Sequence, residues 1–189
     1  MGQPPSAQVH GVGTPALEVR RPDFRAVFEE QFDYVWNTLR KLGAREADLE
    51  DLTHEVFLRV HERLDDYDGA RPLRPWLFAF AFRVASGHRR LARHRLEVLG
   101  DATEPSDGST PADEALSLRE DGELAAAALD AVEIERRAVF VLHEIDEVPI
   151  PEVAAALGIP TATAYSRLRL AREEFQKAAH RLKLARGDR

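Results

Sequence analysis

Residues 97–114 (EVLGDATEPSDGSTPADE) combine Gly, Pro, Ser, Thr and carboxylates and show no hydrophobic period. Such a stretch cannot enter a packed core, so the chain must fold as the two pieces that it separates. Before it, Phe24, Val27, Phe28, Val35, Trp36, Leu39 and Leu42 recur at three- and four-residue spacing between Asp23, a cap, and Gly43, a terminator. A second helix is expected over 46–64, with Leu49, Leu52, Val56, Val60 and Leu64 on one face. Its opposite face is acidic, with Glu46, Asp48, Glu50, Asp51, Glu55 and Glu62. The piece PWLFAFAFRVASGHRRLARHRLE alternates like a buried strand at Trp76, Phe78, Phe80, Phe82 and Val84. Helix is nevertheless expected there. Alanines fill the gaps, Pro75 suits a first turn, and no partner strand is found.

The second piece is helical throughout, over about 115–129, 133–144, 151–157 and 161–184. Residues 1–21 are rich in Pro, Gly and small polar side chains and are expected to be a disordered arm. The expectation is an all-α chain of two small helical domains, 22–96 and 115–185, on a flexible acidic linker, free to sample several relative arrangements. Each has its own core: Phe28, Val35, Leu52, Val56, Trp76 and Phe80 in the first, and Leu129, Val139, Leu142, Val153, Leu157 and Leu168 in the second.

The net charge of −7 argues mildly against nucleic acid, but it averages over a segregated pattern. From Arg71 to Leu96 there are seven arginines and no carboxylate; from Glu97 to Glu123 there are nine carboxylates and one arginine. From Thr163 onward eight Lys or Arg face three acids. A solvated surface would intersperse the signs. The second basic block lies in IPEVAAALGIPTATAYSRLRLAREEF, where a short helix (Val153, Ala154, Leu157) meets Gly158-Ile159-Pro160. The next helix turns Ala164, Leu168 and Ala171 inward and Arg167, Arg169 and Arg172 outward. Small Ala154 and the Gly158 turn permit the close crossing of a helix-turn-helix. An αα-hairpin with a solvated basic face has the same pattern, and Arg167 has Glu173 and Glu174 as alternative partners on its own helix.

Two separate stretches now agree. DLTHEVFLRVHERLDDYDGARPLRPWLFAFAFRVASGHRR resembles region 2 of the extracytoplasmic-function (ECF) sigma factors of bacterial RNA polymerase. ERRAVFVLHEIDEVPIPEVAAALGIPTATAYSRLRLAREEF resembles their region 4, and the likeness runs from Phe24 to Leu182 in the family's order. The resemblance implies a transcription-initiation subunit that is not itself an enzyme, works in the cytoplasm and needs no cofactor or metal. Its partners would be core polymerase (the clamp of the largest subunit and the flap of the second-largest), promoter DNA and an anti-sigma factor, without membrane insertion. Asp51, His54 and Glu55 would dock on the clamp, with His54 where the family has Gln. Gly69, Ala70, Arg71, Leu73, Arg74, Arg83, His88, Arg89 and Arg90 would serve the −10 element. Arginines neutralise phosphates there, and the loop from Asp68 to Leu73 lies where the family captures an extruded base. Arg83 and Gly87 replace residues that the family commonly has as Asn and Asp. Thr163, Tyr165, Ser166, Arg167, Arg169 and Arg172 would meet the −35 element. The acidic linker would thread the channel that RNA later occupies, or else act as a plain tether.

Other classes find less support. The chain has no cysteine, which excludes disulfides, thiolate metal sites and a cysteine nucleophile. It has no GxGxxG, Walker A, HExxH or GxSxG motif, no run of about 18 apolar residues and no signal-peptide pattern at its start. The alternatives are a stand-alone helix-turn-helix regulator, which would bind a palindromic duplex by itself, and a helical adaptor.

Overall fold

A computed structural model describes residues 22–99 and 116–187 of the chain. The expected arm and the linker from residue 100 to 114 lie outside the described residues. Among the described residues seven α-helices follow one another: α1 Phe24–Lys41, α2 Leu49–Arg63, α3 Leu73–Leu99, α4 Leu116–Asp130, α5 Ile134–Phe140, α6 Ile150–Leu157 and α7 Thr161–Arg186. Short 3₁₀ turns at Glu46–Asp48 and Leu64–Asp66 flank α2.

The boundaries follow the local chemistry. Asp23 caps α1, its carboxylate accepting the Ala26 N–H at 3.3 Å. At the other end Gly43 adopts φ +86°, and the Ala44 N–H closes back on the Leu39 carbonyl at 3.0 Å. The apolar alternation of 76–84 resolves as helix. Phe78, Phe80 and Val84 are buried, while Trp76 and Phe82 are half-buried, so α3 has an apolar face broad enough to touch both α1 and α2. The helix also runs past the expected domain end at residue 96, to Leu99.

After α5 the chain widens into a π-helical turn, Val141–Ile145, where the Asp146 N–H reaches the Val141 carbonyl at 3.0 Å. One added residue shifts the direction of everything after it, and Glu147, with φ +57°, ends the turn. The pattern expected one unbroken helix over 133–144. It hid the extra residue because the run Val139–Leu142 is apolar at every position, so no phase is visible there.

The first half packs α1, α2 and α3 around Val35, Leu39, Leu52, Val56, Leu77 and Phe78. Phe24, Phe28, Phe32 and Trp36 line one side of α1, and Phe57 of α2 lies 4.7 Å from Phe28, centroid to centroid. The second half packs α4, α5 and α6 on α7 around Ala138, Val139, Leu142, Val153, Ala164 and Leu168. Each fully buried Val, Leu or Phe contributes about 1.5–3 kcal/mol. All the expected core residues belong to one continuous apolar cluster, with Phe28, Trp76 and Leu157 at its margin. The two halves are therefore in contact, α3 lying against α6 and α1 against α4.

Candidate functional site

Three charged surfaces stand on this frame. On α2 the buried stripe faces α1 and α3, which turns the acidic side outward. Asp51 and His54 are exposed and have no hydrogen-bond or ion-pair partner among the described residues. Glu55 is half-exposed and accepts from Arg59 at 2.5 Å. Leu58, 67% exposed, follows on the same face one turn after His54 and was not anticipated.

The loop after α2 is a hydrogen-bonded rim. The Asp68 carboxylate accepts the Ala70 N–H at 3.1 Å, the Asp68 carbonyl accepts the Arg71 N–H at 2.9 Å, and the Tyr67 hydroxyl donates to the Arg71 carbonyl. Burial, followed by the nearby charge of Asp68, raises the Tyr67 phenol above its ordinary pKa. Gly69, Ala70 and Arg71 are exposed, and Leu73 is half-buried.

The structure divides the predicted −10 residues of α3 between two faces. Arg83 and Arg90, seven positions apart, share one side, where Arg83 lies 5.5 Å over the Phe80 ring. Arg74, His88 and Arg89 turn to the other side. Arg74 sits 5.1 Å over the Tyr34 ring and donates to Gln31 at 3.3 Å, and His88 is 3.8 Å from Asp48. Arg89 is half-buried, close enough to Arg137 of α5 to disfavour its charge.

The third surface is α7. Gly158, with φ +67°, ends α6, and the Ile159 N–H closes on the Ala154 carbonyl at 3.0 Å. Pro160 then starts α7 with no side-chain cap. Ala164, Leu168 and Ala171 are buried, as the sequence pattern expects. Ser166 and Arg169 point away from that stripe. Tyr165, 57% exposed, and Arg172 lie on one flank, and half-buried Thr163 and Arg167 on the other. The ion pairs differ from the expected alternative. Glu173 takes Arg169 at 2.6 Å, Glu174 takes Arg136, and Glu144 receives both the Nε (2.7 Å) and Nη2 (2.5 Å) of Arg172. Arg167 has no ion-pair partner among the described residues.

Two polar sites were missed by the sequence reading. Arg137 is 1% exposed and donates to the Asp130 carboxylate (2.8 Å), the Asp130 carbonyl (2.6 Å) and the Val132 carbonyl (3.0 and 3.1 Å). Its burial lowers the guanidinium pKa to about 10, against the opposing pull of Asp130. The spacing Ile134, Arg137, Ala138, Val141 places it on the inward stripe, and that was the available signal. The second site joins Tyr34 and Lys41 of α1 to Asp146. Burial, then the Asp146 charge, holds the Tyr34 phenol far above its ordinary range.

Comparison with known proteins adds the following. Residues 27–95 match the model for Sigma-70 region 2, and residues 123–175 that for Sigma-70, region 4. The ECF RNA polymerase sigma factor SigL of Mycobacterium tuberculosis (strain H37Rv) is 33% identical over 150 residues, 78% of this chain and 83% of that protein. The ECF RNA polymerase sigma factor SigE of Mycolicibacterium smegmatis is 28% identical over 159 residues, and there the match spans 82% of this chain and 61% of the relative. The fold is similar to that of the sigma factor RpoE from Bartonella quintana, solved with the anti-sigma factor NepR, at a TM-score of 0.66 and 20% identity, over 82% of this chain and 96% of that one. Among the described residues no helix is long and apolar enough to cross a membrane.

Proposed function

The chain belongs to the ECF sigma factors of bacterial RNA polymerase, and on that premise we propose that it is a dissociable initiation subunit that directs core polymerase to its own class of promoter. The acidic face of α2, with Asp51, His54 and Glu55, docks on the polymerase clamp. The 68–73 loop and the arginines of α3 serve the −10 element, where phosphates are neutralised and an extruded base is held. The outward side of α7, with Thr163, Tyr165, Ser166, Arg167, Arg169 and Arg172, meets the −35 element, its uncapped N-terminus adding favourable N–H groups for a phosphate. The second half also contacts the polymerase flap. Synthesis of RNA belongs to the polymerase, and the chain contributes no catalysis of its own.

The observation that carries this reading is the separation of one acidic and two basic surfaces onto α2, α3 and α7 of a single chain. A plain DNA-binding module needs only the basic ones. An anti-sigma factor is the matching regulator, as RpoE was captured with one. The test combines the purified chain with core polymerase and maps transcript starts over a genomic library. Starts that share −10 and −35 sequences and depend on the added chain support the reading. Specific duplex binding by the chain alone, with no change in polymerase start sites, overturns it.

A further inference from the structure

α7 extends beyond the part that matches region 4. The match ends at residue 175, whereas the helix continues without a break to Arg186. From Gln176 to Arg186 the chain has two lysines, two arginines and no carboxylate. Cations in the last turn of a helix are explained by its macrodipole, and that accounts for Lys183 and Arg186, the latter also 3.9 Å from Glu123 of α4. It does not account for Lys177 and Arg181, which stand further back.

Lys177 and Arg181 are exposed, and neither has a hydrogen-bond or ion-pair partner among the described residues. The carboxylates three and four positions before Lys177 are already taken, Glu174 by Arg136 and Glu173 by Arg169. Four positions before Arg181 stands Lys177 itself, and like charges at that spacing repel. By helical phase both lie on the flank of α7 that carries Thr163 and Arg167, and Arg167 is likewise without an ion-pair partner among the described residues. Three unpaired cations thus share one flank over about 20 Å, at a rise of ~1.5 Å per residue.

We propose that Lys177 and Arg181 form a phosphate clamp, which grips the DNA backbone at the edge of the groove that the first turns of α7 enter, outside the −35 bases and without regard to sequence. The proposal rests on the reading of α7 as the −35 helix. A recognition helix meets base edges with its N-terminal residues. The major groove is only about 12 Å wide, so side chains ~15–21 Å beyond Arg167 along the axis have left the bases and stand over the phosphate edge. An acidic protein surface is the other partner that two cations could take. Duplex is favoured by continuity, because the row starts at Arg167 among the residues assigned to the −35 element. A line of phosphates also relieves the repulsion between Lys177 and Arg181. Such a contact supplies affinity and register but does not discriminate between promoters.

The test uses holoenzyme, the full-length chain with core polymerase, on a promoter found by start mapping. Wild type is compared with a chain carrying both Lys177→Gln and Arg181→Gln. Glutamine is as good a helix former as the residues replaced, and both sites are exposed, so the fold is retained. The variant is expected to bind core polymerase as the wild type does. Its promoter binding is expected to lose about two from the salt slope, at ~0.9 per phosphate, so that between about 50 and 200 mM salt the wild-type affinity falls about tenfold further. The loss is expected to be equal on the original −35 sequence and on one with a base replaced. Neutral methylphosphonates beside the −35 element are expected to weaken the wild type and leave the variant unchanged. An unchanged salt slope overturns the clamp. So does a variant that weakens core binding instead, which assigns the row to polymerase, and so does a loss confined to one −35 sequence, which is base reading. A wild-type holoenzyme indifferent to every −35 base change fails earlier, at the reading of α7, and removes the clamp with it.

Discussion

The two halves solve the problem of placing charge beside a small core in different ways. In the first, an aromatic row on α1 (Phe24, Phe28, Phe32, Trp36) meets Phe57, and the exposed side chains of Asp51 and His54 stand clear of any partner among the described residues. In the second, alanines (Ala138, Ala154, Ala164, Ala171) let short helices approach α7, and ion pairs join separate elements, Arg136 of α5 to Glu174 of α7 and Arg172 of α7 to Glu144 of the π-helical turn, while Arg169 pairs with Glu173 within α7. Arg137, the one large polar group fully buried there among the described residues, ties the α4–α5 turn together from inside. The first half is held by a Leu- and Val-rich core edged with large rings, whereas the second leans on one guanidinium that its small core cannot replace.

Removing that guanidinium is the severest way to break the comparison. Arg137→Ala strips the hydrogen bonds from the Asp130 and Val132 carbonyls and leaves a cavity, so a loss of about 3 kcal/mol is expected. Asp130 has a side chain 64% exposed and returns to water, which keeps the cost below that of a stranded buried charge. Urea denaturation measures it, and a change within ~0.5 kcal/mol shows that neither the hydrogen bonds nor the packing of Arg137 supports the α4–α5 turn.

Two glycines sharpen the same contrast. Gly43 and Gly158 both have positive φ, +86° and +67°, and both end a helix. A Cβ at Gly158 meets nothing within 4 Å, whereas one at Gly43 meets Arg137 and Asp130. Gly158→Ala is therefore expected to cost about 1 kcal/mol, the left-handed penalty alone. Gly43→Ala adds displacement of a hydrogen-bonded buried guanidinium and should cost about 2–4 kcal/mol. Equal thermal shifts in the two variants mean that the halves do not touch at Gly43 in solution.

This pair also marks where sequence legibility ends. Helix positions, the Asp23 cap, both terminating glycines and the inward stripe of α7 follow from periodicity and local chemistry, which act within a few residues. Tyr34 and Asp146 are 112 positions apart, and a period identifies which face of a helix is apolar, not which other face it meets. The split of Arg83 and Arg90 from Arg74, His88 and Arg89 was legible in principle from helical phase. The run of basic residues concealed it, because counting charges in a segment ignores their angular positions.

The charged surfaces give smaller effects of different kinds. Asp51→Ala with Glu55→Ala should weaken co-purification with core polymerase about tenfold while stability moves by ~0.5 kcal/mol or less, since Glu55 gives up only an exposed pair with Arg59. On α7, Arg169 and Arg172 must exchange their own carboxylates for DNA, whereas Arg167 exchanges only water. Arg167→Ala is therefore expected to reduce −35-dependent initiation more than Arg169→Ala does. A phosphate role lowers the salt slope by about one in each variant, while a base role costs ~1–3 kcal/mol at one promoter position. If Arg169→Ala is the more severe, intramolecular pairing does not set the order.

The finest distinction is one of pH, because the two missed sites respond with opposite signs. Tyr34 has its folded-state pKa raised by burial and by Asp146, so the unfolded chain loses the phenolic proton first. Its contribution is fully present below pH ~10, the ordinary phenol value, and is lost as pH rises above it. Arg137 has its folded pKa lowered to about 10, so the unfolded chain holds that proton longer and its contribution grows as pH rises from about 10. Stability near pH 10–11 is thus a difference between a junction group that is failing and a buried cation that is being relieved. Tyr34→Phe isolates the two. At neutral pH it should cost only about 1 kcal/mol, because Asp146 keeps Lys41. Between pH 9 and 11 its stability should fall less steeply than that of the wild type, measured by urea denaturation at each pH. Parallel slopes in the two chains mean that the Tyr34 hydroxyl faces water in the free protein and that the halves stand apart.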